Sequence, residues 1–234
     1  MKRVPESSSV QESAAKEAEQ LFQAILHNPG VKKLAVNPLL LTILALIQRQ
    51  GIRLPSHRIK LYELCTTTLM DHWIEAKGIS PYFNQNQVIK LLCPLAFWMH
   101  EYRAVGGVPE QELTDQIVKQ LIDRKIARDE YEAMGKAEKF LDMIRSQTGI
   151  LVERGHQRYG FLHQTFEEYF AAKELVNRKD KERDDFIREH LHEARWREVI
   201  LLAVGIIGVI ENKEERVTEL VQDAILNANS LFEE

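Results

Sequence analysis

Between residues 149 and 162 the hydrophobic period of an otherwise helical sequence changes. Gly149-Ile150-Leu151-Val152-Glu153-Arg154 and Arg158-Tyr159-Gly160-Phe161-Leu162 are apolar and β-branched or aromatic, and they flank the turn-forming Gly155-His156-Gln157. Such a pair of short runs around a glycine-containing turn reads as a β-hairpin. A hairpin must bury one face against something, and the surrounding sequence offers only helices. Apolar residues recur at steps of three and four over 87–102, 109–123 and 129–145, so three helices precede the hairpin.

Three helices followed by a hairpin is the order of a winged helix, assigned here to residues 87–177, which include a helix over 164–177 with Phe166, Phe170 and Leu175 on one face. Upstream, helices are expected over 12–27, from Asn37-Pro38 to Gln50-Gly51, and from the Leu54-Pro55-Ser56 turn to about Ala76. Asn37 suits an N-cap, and Pro38 suits the first turn, where its missing donor costs nothing. Residues 39–47 are apolar nearly all round, which implies burial on several sides. Asn28-Pro29-Gly30 reads as the end of the first helix. The breaker-rich stretch 78–86 separates a helical domain (12–78) from the winged helix, and the polar residues 1–11 read as disordered or foreign to the natural chain. Three short helices over 183–192, 196–210 and 214–227 suggest the start of HEAT-like antiparallel repeats in residues 182–234. The expected class is therefore mainly α with one small hairpin.

Several chemistries are excluded or unsupported. No Gly-x-x-x-x-Gly-Lys-Ser/Thr occurs, so these residues form no phosphate cradle, and no catalytic site of their own is expected. No paired Cys-x-x-Cys exists. His190, His192 and Glu193 lie close together but read as a solvated helix end, and no metal is expected. Cys65 and Cys93 sit in helical apolar contexts and read as reduced core thiols. The apolar runs 39–47 and 199–210 are too short to span a bilayer, so no membrane partner and a cytoplasmic location are expected.

Winged helices often read DNA, which makes the charge of the third helix decisive. Asp129, Glu130, Glu132, Glu138 and Asp142 outnumber Lys136, Lys139 and Arg145. An acidic face repels a duplex, and Arg154, His156 and Arg158 supply only a weakly basic wing. DNA is the less favoured partner, and packing against protein the favoured one.

Two stretches resemble the NACHT family of nucleotide-switched signalling ATPases. Asn37-Pro38-Leu39-Leu40-Leu41-Thr42-Ile43-Leu44-Ala45-Leu46 is similar to the segment that follows the nucleotide-binding sheet there, with the Leu54-Pro55 turn, Leu61-Tyr62-Glu63 and Trp73 in the same order. Tyr159-Gly160-Phe161-Leu162-His163-Gln164-Thr165-Phe166-Glu167-Glu168-Tyr169-Phe170-Ala171-Ala172 resembles the end of the family's winged helix. The resemblance implies that Pro38 lies against an adenine and that His163 reaches a nucleotide phosphate. It implies ATP or ADP in the whole protein, held by a P-loop domain that these residues lack, with no nucleotide expected on them alone. The expected partners are that P-loop domain and other protomers or a sensed protein. On their own residues, Pro38 is equally a helix starter, and His163 a cap for the helix from Gln164 or a core histidine. The leading expectation is the regulatory portion of a nucleotide-dependent switch in defence or stress sensing. The alternative is a helical interaction scaffold without a switch, with a DNA-binding regulator behind it.

Overall fold

A computed structural model describes residues 7–75, 82–102, 107–144 and 150–230. Residues 78–81 of the expected boundary and Gly149 of the expected first strand lie outside the described residues. By contacts the chain divides into two units, Met1–His72 and Trp73–Glu234.

In the first unit, α1 (Ser7–His27), α2 (Pro29–Ala35) and α3 (Pro38–Arg49) pack on one another, and α4 (Arg58–Glu75) begins. Helix α1 starts at Ser7, inside the stretch expected to be disordered, because no glycine or proline interrupts the ladder from there to His27. Helix α1 stops at His27 as expected, and Asn28-Pro29 also starts α2. The Asn28 side chain accepts from the amides of Gly30 and Val31 at 2.9 and 3.2 Å, and Pro29 takes the first helical position. Asn37 repeats the device on α3, accepting from Leu39 and Leu40. Burial on α3 follows one stripe, Leu40, Ile43, Leu44 and Ile47, whereas Leu46 is 41% exposed. The expectation of burial on several sides does not hold, since an i, i+3, i+4, i+7 stripe already meets both neighbouring helices.

The second unit is built on α5 (Gln85–Tyr102) and α8 (Gln164–Val176), which pack along each other. A reciprocal box starts α5: Asn84 Oδ1 accepts from the Gln87 amide at 2.9 Å, and Gln87 Oε1 from the Asn84 amide at 3.0 Å. Between these helices in sequence come α6 (Glu110–Asp123) and α7 (Glu130–Met143), the latter capped by Asp129, which accepts from the Glu132 amide at 2.8 Å. The hairpin is present as β2 (Leu151–Glu153) and β3 (Arg158–Phe161). A third strand, β1 (Val108–Pro109), pairs antiparallel with β3 and gives the order β1-β3-β2. Mainly helical with a small antiparallel sheet, this is the architecture of a winged helix set among helices.

Two glycines make the sheet possible. Gly107 has φ +90°, and a Cβ there would lie 2.7 Å from the Tyr159 carbonyl oxygen, so only glycine lets β1 approach β3. At Gly160 a Cβ would sit 2.9 Å from the Arg154 side chain, which folds across the hairpin.

Past α8 run α9 (Asp180–His190), α10 (Arg197–Gly205), a π-helical turn (Ile206–Ile210) and α11 (Glu214–Ser230). Asp184 on α9 bonds Arg216 on α11 and also pairs with the buried Arg183. Eleven α-helices stand among the described residues, and none is long and apolar enough to cross a membrane.

Candidate functional site

His163 sits where β3 gives way to α8. Its backbone is extended (φ −142°, ψ 139°), and its Nδ1 accepts from the Thr165 amide at 3.1 Å, so the ring is the N-cap of α8. The capping alternative is therefore real, and it has a chemical consequence. A ring nitrogen that accepts carries no proton, which places the proton on Nε2 as a donor. Nε2 has no protein partner among the described residues, and the residue is half-buried.

Pro38 is exposed at the first turn of α3. Beside it, Asn37 Nδ2 is buried with no hydrogen-bond partner. The two residues singled out by resemblance thus lie in different units of the chain. Phe166, Tyr169 and Phe170, flanking His163 in sequence, are fully buried core.

The wing's two arginines are engaged at home. Arg154 donates to the carbonyls of Phe161 at 2.5 Å and Leu162 at 3.1 Å, and Arg158 donates to the Gly107 carbonyl at 2.5 Å. The weakly basic wing expected from composition is instead a hairpin stapled by its own guanidinium groups, with His156 left exposed at the tip. On α7 the outward residues include Tyr131, 91% exposed, and Met134, 54% exposed, among Glu130, Glu138 and Asp142. An apolar stripe rimmed by acids is a poor partner for phosphates.

A functional group that sequence reasoning missed lies beside the first turns of α8. His100 on α5 is 7% exposed. Its Nδ1 is 2.9 Å from Glu167 Oε1, and its Nε2 donates to the Arg195 carbonyl at 2.9 Å. Burial pushes its pKa down, but the Glu167 carboxylate and the Arg195 carbonyl outweigh that and leave it raised above the ordinary value. Next to Arg195, Trp196 is fully buried against Phe97, His100, Phe186 and His190, at centroid distances of 5.0, 4.8, 4.8 and 5.7 Å. A cleft of about 450 Å³ opens beside His100, bounded also by Arg154, Gln164, Glu167 and Arg195.

His190 is not at a simple solvated helix end as expected. It stacks on Phe186 at 4.0 Å, and its Nδ1 donates to the Phe186 carbonyl at 2.9 Å. Among the described residues no group of three or more His, Cys, Asp or Glu could hold a metal ion. Cys65 and Cys93 are free and buried, and burial pushes both thiols up to about 12.

Against known families, the model of the winged helix-turn-helix domain C-terminal to NACHT matches residues 58–175, just over half of the chain. The chain belongs to that family. The match begins at the first residue of α4 and ends within α8, so the NACHT-associated winged helix includes β1, the hairpin and His163. No curated protein and no solved structure matches the chain.

Proposed function

We propose that this chain is the regulatory portion of a NACHT-type nucleotide-dependent signalling switch, acting in defence or stress sensing in the cytoplasm. Its winged helix closes on ADP or ATP held by a P-loop domain of the same protein. In the closed state His163 Nε2 donates to a phosphate oxygen, and Pro38 lies against the adenine. The observation that carries this reading is the cap: it occupies Nδ1 of a half-buried ring, and Nε2 has no partner among the described residues. The unpartnered Asn37 Nδ2 beside Pro38 adds support, since a buried donor without an acceptor is what a docking ligand or domain relieves.

One hydrogen bond to a charged phosphate contributes about 1.5–3 kcal/mol. Made in only one state, it shifts a two-state equilibrium by roughly ten- to over a hundredfold. Loss or remodelling of that contact on exchange would free the winged helix to move and expose a surface for other protomers or a sensed protein. The test is His163→Ser in the complete protein. Serine keeps the cap but is too short to reach a phosphate, so nucleotide retention falls by about the same factor while stability holds. Unchanged retention and unchanged activation remove His163 from the mechanism.

A scaffold reading is favoured by the exposed Tyr131 and Met134 on α7. It predicts partner binding that is indifferent to nucleotide.

A further inference from the structure

We propose that the connection 191–196, and with it α10, is latched onto the winged helix through doubly protonated His100, so that loss of one proton from this ring releases it. The geometry requires the charge. The Arg195 carbonyl can only accept, and so can the Glu167 carboxylate, yet each stands 2.9 Å from a different nitrogen of the same ring. Only an imidazolium donates from both nitrogens. A neutral ring satisfies one acceptor and turns a lone pair on the other. At 7% exposure, the ring relieves little of that repulsion through solvent.

The consequence falls on the connection, because the Glu167 carboxylate is the stronger acceptor and keeps the single proton of a neutral ring on Nδ1, which turns the Nε2 lone pair on the Arg195 carbonyl. Trp196 follows directly and starts α10, wedged between Phe97, His100 and Phe186. Other charges face the same place. Glu167 and Glu168 from α8 favour the protonated ring. Arg195 is itself tied to Glu193 at 2.8 Å and to the Glu101 carbonyl at 3.3 Å, and Arg154 from the hairpin lines the shared cleft. On the far side of Trp196 stand His190 from α9, and Arg178, which lies 3.9 Å from the Phe97 ring centre. The cleft gives water a route to the ring, which proton exchange needs.

The folded-state pKa of His100 is raised, so docking is fully present below the ordinary histidine value of about 6.5 and is lost as pH rises through the higher folded value. The latch opens on the alkaline side. It involves no nucleotide and stands or falls independently of the switch.

Segment-resolved hydrogen exchange on the 234-residue chain tests it, corrected for intrinsic rates, from about pH 6 to about pH 9. Protection of the first turns of α10 falls with rising pH, by roughly tenfold for each unit separating the folded from the unfolded pKa. In Glu167→Gln the amide donates to Nδ1 of a neutral ring whose Nε2–H still serves Arg195. Protection is then retained and independent of pH. A pH-independent wild type, or a Glu167→Gln protein that still loses protection with pH, overturns the latch. Ring-proton NMR of wild-type His100 gives a second reading, and a titration at or below the ordinary value overturns it too.

Discussion

Two histidines bracket the first turns of α8, and their surroundings give them opposite chemistry. At the hairpin end, His163 has one nitrogen occupied by a backbone amide, which is a donor, so that nitrogen serves as an acceptor. At the seam with α5 and the 191–196 connection, His100 has both nitrogens occupied by acceptors, and so is held charged. The same ring is thus a cap and outward donor in one region and a buried cationic clasp in the other. Identity of neighbours, donor or acceptor, decides which. Burial alone would have argued for a neutral ring at His100.

The comparison can be broken from several directions. The largest effect is expected for Trp196→Ala, which removes a fully buried indole from the seam and costs about 3–5 kcal/mol. Denaturant unfolding measures it, and a loss below about 1 kcal/mol would mean the seam is not a packed core. Next comes Gly107→Ala. It places a methyl against the Tyr159 carbonyl at a φ hostile to side chains, and costs roughly 1–3 kcal/mol at the hairpin end while leaving the seam's exchange protection unchanged. His100→Ala strands Glu167 without its charged partner and costs about 1–3 kcal/mol below neutral pH, with the penalty shrinking as pH rises. A penalty that grows with pH would reverse the sign and contradict a charged His100. The smallest effect belongs to His163→Ala, where losing the cap costs about 1 kcal/mol. Thermal melting of His163→Ala beside His163→Ser separates the cap from the donor.

A further measurement sharpens the contrast between the two units. Cys65 belongs to the first and Cys93 to the second, and both thiols are buried with pKa values near 12. A thiol reagent at neutral pH therefore labels each only through opening of its own unit, and the two rates report the two stabilities separately. Rapid labelling of either in the native protein would show that its helix is not packed as described.

How much of this was legible follows from the range of each interaction. The hairpin was readable because Gly155 and the alternation around it are local. The Asn37 cap was readable for the same reason. Asn28-Pro29 carried the identical signal and was passed over, since a proline after a helix reads first as a terminator and only second as a starter. Strand β1 left no pattern. Two residues cannot alternate, one is proline, and the strand exists only because Gly107 admits the approach of β3. His100 was invisible for a different reason. Its partners lie 67 and 95 residues away, so no window of sequence contains the site. The resemblance to the NACHT family is borne out by the family match. It could not say that the wing's arginines are tied to backbone carbonyls, because composition counts charges and not their partners.

Those tethered arginines have a practical consequence. With Arg154 tied to the far end of β3 and Arg158 to the Gly107 carbonyl, the tip at His156 contributes nothing to the fastening. A fluorophore or short peptide grafted at that tip should ride on the sheet as a rigid passenger, making His156 the natural place to mount a gauge of how far the wing travels in the intact protein.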